Sequence, residues 1–115
     1  MNLLKETLEI LAKNNKTPKD VLWIGSKDGY STWENFERLA DTIYSSGYGS
    51  IEVAEDLVIV GKDWWLERGE YDGSEWWEFK RKPKQPKTLR RINKLFLEKF
   101  ESSLAELNDW VEKDD

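Results

Sequence analysis

The chain has 115 residues, the size of one domain, with 38% hydrophobic residues, 36% charged residues and a formal net charge of −5. It contains no Cys and no His, which excludes disulfides, thiolate nucleophiles, zinc sites built on either residue and Ser-His-Asp triads. Seven Trp and four Phe offset the shortage of aliphatic residues, because each large ring buries far more area than Ala or Val.

Leu4, Leu8 and Leu11 recur at helical spacing, with Leu3 and Ile10 beside them, and predict a first helix over Leu3 to Lys13. Thr17-Pro18 with Asp20 three residues after the Thr resembles a capping box. Val21 to Gly25 is a short β-prone run closed by a Ser-Lys-Asp-Gly turn. Ser31, with Glu34 three residues on, predicts the cap of a second helix from about Thr32 to Tyr44, its stripe being Trp33, Phe36, Ala40 and Ile43. Gly47-Tyr48-Gly49-Ser50 lacks the following Lys-Ser/Thr of a phosphate loop and reads as a helix stop.

Leu57 to Val60 predicts a strand, and Gly61-Lys62-Asp63 a tight reversal into the most informative stretch of the chain. There Trp64-Trp65 and Trp76-Trp77 flank Asp72-Gly73, a strong hairpin signal between aromatic runs. A two-residue loop pairs Tyr71 with Ser74, Gly69 with Trp76, Arg68 with Trp77 and Leu66 with Phe79. It lets Trp76 cover the bare backbone at Gly69 and Arg68 stack on Trp77. It also sets Glu70 opposite Glu75 and Glu67 opposite Glu78, an unfavourable match. A four-residue loop would instead pair Glu67 with Lys80. Turn chemistry favours the first register and charge pairing the second; the first is preferred. Strand periodicity then sends one ring of each Trp pair to each face.

Pro83 and Pro86 mark residues 83–87 as a linker, after a core domain spanning 1–82. Leu89, Ile92, Leu95, Phe96, Phe100, Leu104, Leu107 and Val111 then follow helical spacing, predicting a long amphipathic helix over 88–113, with Trp110 on its flank. The expected fold class is α+β: a three- to four-stranded antiparallel meander packed with two N-terminal helices and that long C-terminal helix.

Three kinds of site are suggested. Trp64, Trp65, Trp76 and Trp77, with Phe100, Leu104, Leu107, Trp110 and Val111, are candidates for binding a protein partner, including a second copy through the C-terminal helix. Lys80, Arg81, Lys82, Lys84, Lys87, Arg90, Arg91 and Lys94 form a basic run with no acid among them, leaving −13 for the remainder; with exposed Trp they are candidates for single-stranded nucleic acid. Glu67, Glu70, Asp72, Glu75 and Glu78 cluster on the hairpin and admit a carboxylate pair acting on a sugar, or a hard-cation site. No motif implies a cofactor.

The wording D-V-L-W-I-G-S from Asp20, and A-E-D-L-V-I-V-G-K-D-W-W-L-E-R-G-E-Y-D-G-S-E-W-W-E-F ending at Phe79, resembles small proteins encoded by bacteriophages and prophages. The resemblance carries no assigned activity and no catalytic residues. It implies the cytoplasm of a bacterial host and an accessory role exercised by binding other proteins. No apolar run approaches the roughly 18 residues that span a bilayer, so the expectation is a soluble protein without membrane contact.

Overall fold

The computed structural model describes residues 1–45 and 49–110. The chain forms two compact units, Met1–Pro83 and Lys84–Asp115.

In the first unit, helix α1 (Leu3–Lys13) is capped by Asn2, whose side chain accepts the Lys5 N–H. A 3-10 turn (Pro18–Asp20) follows, with both bonds of the expected Thr17–Asp20 capping box formed. Strand β1 (Val21–Ser26), strand β2 (Gly29–Ser31) and helix α2 (Trp33–Ala40) come next, then β3 (Val58–Gly61), β4 (Trp64–Tyr71) and β5 (Ser74–Arg81). The strands make one antiparallel sheet in the order β2-β1-β3-β4-β5.

This corrects the expected three or four strands to five. The additional strand, β2, has three residues, too few to show an alternating pattern. Its Ser31 was expected to cap α2, but Thr32 does so, accepting the Asn35 N–H at 3.2 Å, while the Ser31 hydroxyl donates to Asn35 Oδ1. Helix α2 also stops at Ala40, before the expected Tyr44. The chain past Asp41 pairs in extended form instead: Ile43 bridges to Asn2, and the Tyr44 N–H donates to the Met1 carbonyl. The expected stop at Gly47 and Tyr48 lies outside the described residues.

The hairpin adopts the two-residue register, with Tyr71 opposite Ser74, Arg68 opposite Trp77 and Leu66 opposite Phe79. Asp72 and Gly73 both have positive φ, 51° and 86°, the geometry of the turn that matches strand twist. Directly opposed residues share a face, so one side of the sheet carries Ile24, Ile59, Leu66, Phe79, Trp64 and Trp77. Both helices lie on this side: Leu11 of α1 and Phe36 and Ala40 of α2 join these residues in one core. Burying a ring such as Trp64 or Trp77 stabilises by about 3–5 kcal/mol relative to Ala.

The second unit overturns the long C-terminal helix. Residues 88–103 are not helical; helix α3 spans only Leu104–Leu107, capped by Ser103. An amphipathic helix is held chiefly by the burial of its apolar face, and here Leu89, Leu95, Phe96 and Phe100 stay exposed. Like charges at i,i+4, Lys87 with Arg91 and Arg90 with Lys94, weigh further against it. What order there is centres on Asn108, whose side chain accepts from the Asn93 and Lys94 N–H groups and donates to the Lys94 and Leu104 carbonyls. A homodimer through a C-terminal helix therefore loses its structural basis.

Gly61 shows how tightly the core is fitted, since a Cβ there would overlap the indole of Trp64. Gly61→Ala is expected to destabilise the protein by about 2 kcal/mol through overpacking, read as a lower urea midpoint followed by Trp fluorescence.

Candidate functional site

The second face of the sheet follows from the same registers. Trp23 of β1 opposes Val60, Val60 opposes Trp65, and Trp65 opposes Lys80, which makes a row across four strands. Gly25, Val58, Glu67 and Glu78 form the next row, with Tyr30 beside Gly25. Gly69 and Trp76 follow. None of these residues belongs to the helix-covered core. Trp23, Val58, Val60, Trp65 and Trp76 are half-buried, and Tyr30 is 80% exposed.

Each Trp pair is thus divided. Trp64 and Trp77 are core; Trp65 and Trp76 lie on the open face. Both outer indoles are fixed by carboxylates two residues on: Trp65 Nε1 donates to Glu67 at 2.8 Å, and Trp76 Nε1 to Glu78 at 3.3 Å. Trp76 lies over Gly69, where a Cβ would come within 2.7 Å of its indole nitrogen, so the glycine makes room for the ring. These bonds, with Lys80 at 3.4 Å from Glu78, also relieve the opposition of Glu67 and Glu78. Neither glutamate lines any described cavity. Trp23 and Tyr30 meet edge to face, 6.5 Å apart, beside a cleft of about 430 Å³ at the β1–β2 turn.

On the covered face, at the hairpin end, is a cluster of buried charges. Arg68 is 4% exposed in its side chain and Glu75 1%. The guanidinium reaches Glu75 at 3.2 Å, Glu6 of α1 at 3.4 Å and the Tyr44 hydroxyl at 3.2 Å. It stands 4.7 Å from the centre of the Trp77 ring, as expected of that pair. Glu75 also accepts the Glu52 and Val53 N–H groups, which anchors the loop before β3. Trp77 Nε1 donates to Thr7, whose hydroxyl donates to the Leu3 carbonyl. Arg68 Nε is buried without a hydrogen-bond partner among the described residues. A cavity of about 270 Å³ borders the cluster, lined in part by Ile51, Glu55 and Glu70.

This network makes the opposition of Glu70 and Glu75 tolerable, and no single residue of the sequence announces it. The signal was present in the preferred register, where alternation places Arg68 on the inner face one step diagonally from Glu75. Trp23 was missed likewise, although alternation along β1 sets it opposite to Ile24. Among the described residues, no group of three acidic side chains is arranged to hold a metal ion.

The basic run is divided between the units. Lys80 and Arg81 belong to β5, with Arg81 over the Phe79 ring. Lys82 donates its backbone N–H to Asp63. Lys84, Lys87, Arg90, Arg91 and Lys94 are exposed in the second unit; Lys94 pairs with Glu98, and Arg90 lies 5.9 Å from the Trp110 ring centre. Of the apolar candidates there, Phe100 is 97% exposed, Leu104 is 41% exposed and Leu107 is buried; Val111 lies outside the described residues. No helix of the described residues is long and apolar enough to cross a membrane.

No family model matches this sequence, and no curated protein or solved structure matches it either.

Burial pushes the Tyr44 phenol up to about 12, the hydrogen bond from Arg68 opposing and the acceptor Glu6 reinforcing the shift. Below about pH 10 the phenol is neutral in both folded and unfolded chains. Between about 10 and 12 the unfolded chain loses this proton first, so stability falls with rising pH, by up to about 2–3 kcal/mol. Tyr44→Phe is expected to remove that part of the alkaline loss and the phenolate absorbance step near 12. An unchanged step in the variant would assign it to another tyrosine.

Proposed function

We propose that the protein works by binding a polypeptide partner on the open face of its sheet, as an accessory protein of the phage type rather than as a catalyst. The observation that carries this reading is the division of the Trp pairs: Trp65 and Trp76 are on the face opposite both helices, each held by its own glutamate. Rigid aromatic side chains supply contact area at low entropic cost, and Trp is enriched at the centres of protein interfaces. Trp23, Val58 and Val60 extend the apolar surface from Trp65 across β3 and β1.

The charge of the face specifies the partner. Glu67 and Glu78 sit among the rings, with Lys80 at one end, and the first unit carries sixteen acidic against eleven basic residues. Such a surface favours a partner that presents Lys or Arg around an apolar centre. It disfavours a phosphate backbone, whose stacking sites are normally set in a basic groove.

Photo-crosslinking tests the reading. With p-benzoylphenylalanine in place of Trp65 or Trp23, irradiation in a bacterial lysate is expected to give a discrete adduct that resists nuclease, is lost to protease and weakens as salt rises. The same group in place of Leu39, exposed on α2, should give none. A nuclease-sensitive adduct would hand the face to single-stranded nucleic acid, and equal labelling at all three positions would remove the site.

A further inference from the structure

We propose that the free edge of β5, with the groove between β5 and α1, binds an extended polypeptide strand and seats one Lys or Arg side chain of that strand in the groove. This site is distinct from the open face and can stand or fall without it.

Among the described residues, strand β5 ends the sheet and is paired only with β4. The two-residue turn determines which of its backbone groups are free. Tyr71 and Ser74 form the hydrogen-bonded pair next to such a turn, so Ser74, Trp76, Glu78 and Lys80 direct their N–H and C=O groups to β4. Glu75, Trp77, Phe79 and Arg81 direct theirs outward. Among the described residues, no backbone hydrogen bond from outside the sheet reaches these four.

Edge strands are usually blunted by shortness, a bulge, Pro or inward-pointing charge. This one runs for eight residues without Pro, and its register with β4 is unbroken. Its inward-pointing charge, Glu75, stands at the turn end and is neutralised by Arg68, and its cations, Lys80 and Arg81, are confined to the other end. The other edge strand, β2, has three residues.

Beside β5 lies a cavity of about 250 Å³ lined by Glu6, Glu9, Ile10 and Lys13 of α1 and by Trp76 and Trp77. Trp77 points to the helix side and Trp76 to the open side, while β4 covers the inner flank of β5. A cavity that touches both residues and the helix therefore opens along the free edge. A strand added to β5 would lie about 4.8 Å away, and every second side chain would drop toward α1.

The groove sets the chemistry of that side chain. Its wall of Ile10 and indole accommodates an aliphatic stem. At its rim Glu6 is already held by Arg68 and Tyr44, whereas Glu9 is exposed and has no ion-pair partner among the described residues. A long side chain with a cationic head satisfies both the wall and Glu9, since Glu6, Glu9 and Lys13 together leave the lining net acidic, and the Trp77 indole on the helix side favours a cation further.

The test uses the full chain and two acetylated, amidated peptides of alternating Val and Thr, one with a central Lys and one with a central Glu. The Lys peptide is expected to slow amide exchange at Trp77, Phe79 and Arg81, and to bind about three- to tenfold more tightly than the Glu peptide. Glu9→Lys, an exposed change that leaves the core untouched, should reverse that preference, and Trp65→Ser should leave it intact. The proposal is overturned if neither peptide binds at millimolar concentration, or if Glu9→Lys leaves the preference unchanged. It is also overturned if the three amides are already protected in a species of twice the mass, which would give the edge to a second copy.

Discussion

The two-residue turn at Asp72-Gly73 is the constraint on which the rest depends. Positive φ at both residues fixes Tyr71 opposite Ser74, and the pleat then dictates every facing pair down to Trp64 and Arg81. A slip of one residue would exchange the faces of a whole strand. Trp76 would then enter the core in place of Trp77, and Arg68 would lose its place between Glu6 and Glu75. The division of the aromatic pairs, the composition of the open face and the outward backbone groups of β5 are three consequences of one local geometry.

The buried charges reinforce that register at a cost. Removing Arg68 and two carboxylates from water is expensive, and a well-packed apolar replacement of the whole group would often be as stable or more so. A partial replacement would not: loss of Arg68 alone leaves Glu6 and Glu75 without their cation, a change worth about 3–5 kcal/mol in buried pairs. The cluster gains specificity from the distance it spans in sequence. Arg68 joins β4 to Glu6 on α1, to Tyr44 after α2 and to Glu75 on β5, and Glu75 holds the loop at Glu52 and Val53.

Local signals in the sequence were sufficient for much of this. The first helix, the Thr17–Asp20 box and the Asp72-Gly73 turn each follow from interactions within a few residues and are found as expected, although Leu8 of the Leu4–Leu8–Leu11 stripe is exposed while Thr7 is buried. Non-local determinants were not legible in the same way. Strand β2 exists because β1 is beside it; its three residues carry no period of their own. The α2 stripe continues through Ile43, yet pairing with Asn2 and Met1 draws that segment into extended form. Helical spacing from Leu89 onward is a pattern of side chains, and without burial of Leu95, Phe96 and Phe100 it makes no long helix among the described residues, only the short α3. At the candidate site, alternation identified one outward ring per Trp pair, but which ring depended on where the two helices lie.

That dependence is open to direct measurement. With 5-fluorotryptophan incorporated at all seven Trp positions and resonances assigned by single Trp→Phe substitutions, a soluble paramagnetic agent reports the access of solvent to each ring. Strong relaxation is expected of Trp23, Trp65 and Trp76 and little of Trp64 and Trp77. Comparable relaxation of both members of either pair, or protection of Trp65 and Trp76 in place of Trp64 and Trp77, would contradict the register and the open face together.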